Sequence, residues 1–478
     1  MTSALAPRVA VVSPRRAQTI HGFGASGAWW PHDLIRFSPE TRERVADLLF
    51  GPDGLALSVY RYNLGGGGVG VTRPSRAPET FMVGPGAYDW SRDPGGRFFL
   101  RRAAAMGVPV LVGFVNSAPA TWTTNGRCCG GALRPGTEAD YARYLVDVVL
   151  ELRAREGATL SYVSPMNEPD DSFPAAIQEG MAVPLFQRLV LVRAVAAELA
   201  RRAPFAMVIG DESSRVLRQF LRRAPVWLGL GGAARVGAVV HHLYDFPSDL
   251  PLRAAHLVGA VFRKPLWMSE ICCFDSRTGG YGQQYDPTMA GAMPLANLVW
   301  RSLALAGHAA FHWWLALSPE IGADPSADPA AATRPNDLGW NDGLVYYDPR
   351  HAENGNERLY VTKRFWALAN FSRYVRPGAV RHAVRGLPDD VRLLAFRTAD
   401  GWALVAIANA AEGACRLRVR VPAEPGTAPG AATAYETSAA RDLEPVAAPD
   451  LDAGGLLTLT LPAQSVTTVL VPVSSASG

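Results

Sequence analysis

Eight short apolar runs, spaced by helix-length amphipathic stretches and loops, constrain this chain more than any other feature. They centre on residues 21–26, 57–63, 109–115, 160–166, 206–212, 236–243, 265–270 and 309–315. Many are dense in β-branched or aromatic residues, as expected of strands covered on both faces. Between them, residues 139–153 place Tyr141, Tyr144, Leu145, Val148 and Leu152 at helical spacing, and residues 185–202 do the same with Leu189, Val192 and Val195. Successive strand starts lie about 30 to 50 residues apart, room for a βαβ unit with loop insertions. Eight such units predict a closed (β/α)8 TIM barrel rather than an open sheet. A doubly wound nucleotide-binding fold is the alternative. It needs a glycine-rich turn after the first strand, whereas residues 65–68 follow the second and lack the G-x-G-x-x-G spacing.

After Tyr374 the pattern changes to short alternating segments at 391–397, 402–408, 415–421, 432–436, 456–461 and 465–471, separated by turn-rich stretches such as 424–430 and 450–455. This describes an accessory antiparallel β-sandwich module. An early strand at 8–12 precedes the barrel and is free to join that module. The expected organisation is an N-terminal strand within 1–17, a catalytic barrel over 18–375, a β module over 376–473 and a frayed tail at 474–478.

With 478 residues, 48% hydrophobic and 19% charged, the chain can bury a large core. Its net charge of +4 is spread without a basic run, which argues against nucleic acid or an anionic membrane as partner. No stretch approaches the ~18 apolar residues of a membrane span. Residues 1–14 lack the charged-then-apolar layout of a secretory signal, so the protein either stays inside the cell or begins after a removed leader. A monomer is expected.

The five cysteines include two doublets, Cys128-Cys129 and Cys272-Cys273, plus Cys415. Adjacent cysteines do not have zinc spacing, and no clustered His/Cys/Asp set is visible, so neither metal nor organic cofactor is expected. The doublets follow the third and seventh strands and therefore share one face of a barrel. A disulfide joining them is one expectation; buried small hydrophobes are the plainer one.

Active groups of such a barrel gather at the C-terminal ends of its strands. The fourth strand ends in Pro165-Met166-Asn167-Glu168-Pro169 and the seventh in Trp267-Met268-Ser269-Glu270. Two glutamates then face one mouth from opposite sides. Glycosidic cleavage with retention needs such a pair: one carboxyl protonates the leaving oxygen and the other attacks the anomeric carbon. Either glutamate alone would be as well explained by a structural ion pair. Adjacent His241 and His242 point to opposite faces of a strand, so neither they nor His312 suggest a shared ion.

Asn167-Glu168-Pro169 resembles the acid/base motif of the (β/α)8 retaining glycosidases. The wider set resembles glycoside hydrolase family 30: Gln18-x-x-x-Gly22-Phe23-Gly24-Ala25-Ser26, Arg61-Tyr62-Asn63-x-Gly65-Gly66, Asn116-Ser117-x-Pro119, the Asn-Glu-Pro, Ser269-Glu270, and residues 371–378 at the exit from the barrel. Ala118 departs from the family's more usual proline. The resemblance implies Glu168 as acid/base and Glu270 as nucleophile. It implies that Arg61 bonds the catalytic carboxylates, that Asn167 donates to the sugar 2-hydroxyl, and that Tyr244 bonds Glu270. Asn116, Trp122, His242 and Trp314 join them as substrate-binding or supporting residues. Strand alternation allows only one of Trp313 and Trp314 to face the mouth, and the resemblance favours Trp314. Asp211 and Glu212 are candidate hydroxyl ligands or helix caps; Asp170 and Asp171 read as solvated loop charges.

Within the family, Trp29-Trp30 and Gln178-Glu179-Gly180 resemble the endo-β-1,6-galactanase branch. The expected substrate is therefore a polysaccharide or oligosaccharide, with β-1,6-galactan side chains cut internally. A β-1,6-glucanase, a glucosylceramidase or another exo-β-glycosidase of the same family are the alternatives. A non-catalytic carbohydrate-binding protein is the alternative from another class, and it would lack one of the two glutamates.

Overall fold

The computed structural model describes residues 9–422, 426–452 and 454–475. Eight parallel strands pair in chain order: Gly22–Gly27, Val59–Leu64, Val110–Val115, Tyr162–Ser164, Met207–Ser213, Val236–His242, Leu266–Glu270 and Ala310–Ser318. Pairing of Trp267 with Ala310 and of Ala310 with Gly22 closes the ring, so the eighth strand sits between the seventh and the first. All eight runs expected from sequence are these strands.

Local signals explain why the intervening segments coil. Pro39–Phe50 begins with Pro39 at its first turn, and the Ser38 side chain accepts from the Thr41 amide. Pro94–Ala105 is capped by Asp93, which accepts from the Gly96 amide. Glu138–Glu156 stops at Gly157, whose φ of 65° is the left-handed stop that glycine adopts freely. Leu185–Arg202, Leu221–Trp227, Asp249–Phe262, Met289–Ala304 and Lys363–Ser372 complete the outer ring. Among the described residues no helix is long and apolar enough to cross a membrane.

The barrel interior is layered. Val59, Val112, Ile209, Val240, Trp267 and Ala310, drawn from six strands around the ring, form one apolar cluster that only an inward orientation allows. Two residues further along the second, sixth and seventh strands, the same face carries Arg61, His242 and Ser269. The interior thus changes from apolar packing to buried polar groups as it approaches the mouth. The first strand is glycine-rich for a steric reason: a Cβ on Gly27 would sit 1.8 Å from the Tyr60 hydroxyl.

Beyond the eighth strand, Gly343–Tyr347 pairs in parallel with its upper half (Leu315 opposite Gly343), and Leu359–Val361 pairs antiparallel to that. Sequence patterning did not reveal this extension, which carries Trp340 and Asp342 to the mouth.

Among the described residues the second sheet has eleven strands, led in chain order by Val9–Thr19, which pairs antiparallel with Val380–Arg385 and parallel with Ala414–Arg420. The six module segments expected from sequence are strands here, joined by Val380–Arg385, Thr427–Pro429, Asp442–Val446 and Asp450–Leu451. Leu404 and Val469 share a core with Val419 and Leu457, which lie far from them in strand order. One continuous sheet therefore folds over on itself to make both layers. Its other face is also covered: Leu394, Phe396, Val405 and Ile407 belong to the barrel's own core, and the Trp300 indole donates to the Leu393 carbonyl. Asn370 pins the joint, donating to the Thr437 hydroxyl while its carbonyl accepts from Thr468.

Candidate active site

Strand ends bring five charged groups together at the mouth. The Arg61 guanidinium is wholly buried, lies 4.1 Å from the Phe114 ring centre, and donates to Glu270 Oε2 at 2.9 Å. Its other end lies 3.6 Å from Glu212, not against Glu168. The expectation that Arg61 bonds both candidate catalytic carboxyls is corrected: it serves Glu270 and a third glutamate.

His242 fills the gap. Its Nδ1 donates to Glu168 Oε1 at 3.0 Å and its Nε2 to Glu212 Oε2 at 2.9 Å, and Glu270 Oε1 lies 3.7 Å away. Burial alone would keep this imidazole neutral. The surrounding Glu270, Glu168 and Glu212 outweigh burial and push it up to about 10, so it is a cation at neutral pH. Glu212 also accepts from the hydroxyls of Ser164 and Ser269. Burial pushes its carboxyl up, but Arg61 and His242 more than offset this and hold it down at about 2. Glu168 goes the other way: burial first, then the charge of Glu270, raise it against the opposing pull of His242. Two cations therefore face two carboxylates when Glu168 carries its proton. In that state the buried cluster is neutral, which a low-dielectric interior favours.

Glu168, His242 and Glu270 place one ligand-type atom each within 4.8 Å of one another. A cationic imidazole donates from both nitrogens and has no lone pair for a metal ion. The trio is a hydrogen-bond cluster. Outward from it, His241 accepts from His308, whose ring bonds Ser302, and this neutral chain backs the sixth strand.

Backbone strain gathers here. Trp29, Glu168, Glu212 and Cys273 have φ of 69°, 44°, 60° and 60°, left-handed values that non-glycine residues rarely adopt. The Glu168 amide donates to the Glu212 carbonyl at 3.0 Å, tying two of these positions together.

Around the cluster lies a cleft of about 570 Å³ lined by Asn116, Asn167, Glu168, Tyr244, Glu270 and Trp314, with Trp29, Tyr281, Trp340 and Asp342 added by the structure. Tyr244 donates to Glu270 Oε1 at 2.9 Å. Asn116 donates to Asn63, and Asn167 Oδ1 has no protein partner. Trp314 meets Trp29 edge-on at 5.1 Å, whereas Trp313 turns outward and donates to the Asp342 carbonyl. Burial raises the Asp342 carboxyl to about 7.

Other expected residues lie elsewhere. Trp122 packs on Tyr141 and Tyr144, filling the space above a helix rather than the cleft. Asp211 is paired with Arg188. Asp170 is not a solvated loop charge, because Arg188 and Arg223 enclose its side chain at 2% exposure. The doublets do not join: the bond is between Cys272 and Cys273, and Cys128 and Cys129 are free and buried. The latter pair points into a different knot, where Cys128 Sγ contacts the Gly66 carbonyl and Cys129 Sγ that of Gly70. Glu179 completes that knot by accepting from the Gly66 and Gly68 amides at 3.1 and 2.8 Å. The glycine run is therefore a nest of backbone donors closed by the chain's own carboxyl group. Its loop is locked to those following the third and fourth strands.

Glu212 ends the fifth strand by the rule that revealed Glu168 and Glu270, so its burial was the missing information. Trp340 and Asp342 gave no signal, since they sit in a long segment beyond the last barrel strand.

Residues 8–218 match the family model described as O-Glycosyl hydrolase family 30. Among solved structures, a conserved exported protein from Bacteroides fragilis aligns with a TM-score of 0.80 at 21% identity, over 97% of this chain and 100% of its own. The catalytic domain of a GH30 xylanase C from Talaromyces cellulolyticus gives 0.73 at 23%, covering 97% and 99%. An endo-β-1,6-glucanase gives 0.71 at 16%, covering 98% and 95%. These likenesses establish a shared fold of barrel plus β module. The sequence match spans the N-terminal strand and the first five barrel strands, with Arg61, Glu168 and Glu212 inside it, and makes that part of the chain similar to the O-glycosyl hydrolases of family 30.

Proposed function

We propose that the protein is a retaining β-glycoside hydrolase in which Glu270 is the nucleophile and Glu168 the acid/base. The observation that carries this is the carboxyl separation. Oxygens of Glu168 and Glu270 lie within 4.8 Å, near the ~5–5.5 Å of retaining pairs and well short of the ~6.5–9.5 Å that leaves room for an inverting water. Environment divides the labour. Glu270 receives hydrogen bonds from Arg61 and Tyr244, which hold its carboxyl in place for attack on the anomeric carbon. Glu168 is raised by burial and keeps the proton that it delivers to the departing glycosidic oxygen. The covalent glycosyl-enzyme on Glu270 then loses its sugar to water, whose proton Glu168 accepts. His242 stays cationic throughout, holding Glu168 in line and stabilising the carboxylate it becomes.

The substrate proposed is β-1,6-galactan, cut internally. Trp29-Trp30 and Gln178-Glu179-Gly180 support the galactanase branch by resemblance, and an open cleft with Tyr281 59% exposed at its rim suits a chain passing through. The second reading, β-1,6-glucan, draws support from the likeness to an endo-β-1,6-glucanase. A panel of β-1,6-galactan, β-1,6-glucan, glucuronoxylan and glucosylceramide, followed by NMR for product size and first-formed anomer, decides between them. An inverted anomer on any cleaved substrate defeats the retaining mechanism.

A further inference from the structure

The Cys272–Cys273 disulfide has no part in that mechanism, yet it lies two residues beyond Glu270 and both half-cystines line the cleft. We propose that this bonded sulfur pair is a substrate-contacting surface, the apolar patch against which the sugar beside Glu270 lays its C–H face. The inference rests on the cleft being a sugar site.

Placement is the first argument. Cys272 Sγ lies 3.7 Å from the Tyr244 hydroxyl, and the hairpin that follows, Phe274–Asp275 with Gly280–Tyr281, delivers Tyr281 to the rim. Tyr281 in turn packs 5.8 Å from Trp340. Tyr244, the disulfide, Tyr281 and Trp340 thus form one continuous stretch of the cleft lining that starts at Glu270, to which Tyr244 is bonded.

Chemistry is the second. A pyranose presents hydroxyls at its edges and C–H groups on its faces, and a polarisable surface without donors suits only the latter. Two thiols here would offer S–H donors and ionisable groups beside Glu270. Joined, they offer neither.

Backbone geometry is the third. Cys273 has φ of 60°, and two bonds hold that turn: its amide donates to the Asn341 carbonyl, and the Gly282 amide donates to its own carbonyl. The chain maintains an unfavourable conformation where the pair meets the cavity, a pattern found at ligand-contacting sites.

The test uses the full chain with Glu270→Gln, which removes turnover while keeping size. Binding of a β-1,6-galacto-oligosaccharide is measured by calorimetry. The rate at which dithiothreitol reduces the disulfide, giving two thiols and the reagent's cyclic disulfide, is then followed across the same concentrations. A covering sugar should slow reduction about tenfold or more, with half-protection at the calorimetric Kd. A merely structural disulfide would be reduced at one rate throughout, and that result overturns the proposal. So does a pair that resists reduction in the free protein, or five free thiols in the denatured, unreduced chain instead of three. If the galacto-, gluco- and xylo-oligosaccharides all fail to bind, the sugar-site reading fails instead. In the otherwise wild-type chain, Cys272→Ala/Cys273→Ala should raise KM about three- to tenfold while kcat stays within about twofold. Loss confined to kcat contradicts a contact role.

Discussion

Replacing His242 by Asn isolates what the buried imidazolium does. The asparagine amide can occupy the place of Nδ1 and keep a donor toward Glu168, while the positive charge and the bond to Glu212 are lost. At the observed 3.0 Å and an effective dielectric of ~20, the charge pair between His242 and Glu168 is worth about 5 to 6 kcal/mol. At ~1.4 kcal/mol per pH unit this sets a ceiling of about 4 units on the resulting rise in the Glu168 pKa. The retained amide bond and rearrangement of Arg61 toward Glu212 reduce it, so a rise of about 1 to 2 units is expected. The sign is fixed: His242 favours ionised Glu168, and removing it favours the acid. Because Glu168 must be protonated to start the reaction, the alkaline limb of kcat/KM should move upward by that amount. Deglycosylation, which needs ionised Glu168, should slow below the new pKa and lower kcat at neutral pH. The assay is a pH profile from about 4 to 10 on an aryl oligosaccharide, with thermal unfolding monitored alongside. An alkaline limb that stays in place or moves to lower pH in a folded variant refutes the charge assignment.

Other consequences are checked more simply. Glu270→Ala should abolish turnover and be rescued by azide as an α-glycosyl azide; Glu168→Ala should still cleave substrates with very good leaving groups and give the β-azide. Opposite anomers in NMR would exchange the two roles. Glu179→Ala leaves the Gly66 and Gly68 amides without their acceptor and should cost about 2 to 4 kcal/mol in denaturant unfolding. Burial raises the Glu179 carboxyl to about 8 in the folded chain, so the native state holds a proton that the unfolded state has released. Its share of stability therefore declines as pH rises from ~4.5 to about 8 and should be missing from the alanine variant's pH dependence. Dialysis against EDTA should leave activity intact; loss restored by one divalent ion would show that the Glu168–His242–Glu270 trio holds metal after all.

The barrel was legible because its strands are covered on both faces, which leaves dense apolar runs such as those around Val112 and Val240. Glu168 and Glu270 were legible because strand ends at the mouth expose whatever follows the run. What failed did so for want of direction. Trp122 follows the third strand as expected, but only packing turns its ring toward Tyr141 instead of the cleft. Asp170 sits beside Glu168 in sequence, and nothing local announces that Arg188 and Arg223 will enclose it. Gly343–Tyr347 pairs outside the barrel's eight-fold rhythm, so periodicity could not assign it. The cysteine doublets were placed at the correct strand ends, yet partner choice depended on Cys128 and Cys129 being claimed by the glycine loop.

Val9–Thr19 lies between Val380–Arg385 and Ala414–Arg420, so the start of the chain is sealed into a sheet made mostly from its end. Ribosomes add about 5 to 20 residues per second, which separates the emergence of these strands by roughly 20 to 80 seconds. During that interval Val9–Thr19, with Ala10 and Val12, lacks both of its neighbours, and the barrel cannot close until the eighth strand reaches the first. Closure of the barrel and of the second sheet must therefore wait for strands made long after their partners. The nascent chain must be kept from pairing with other chains until Ala414–Arg420 has been made, and expression yield should depend on chaperone supply more than on the stability of the folded protein.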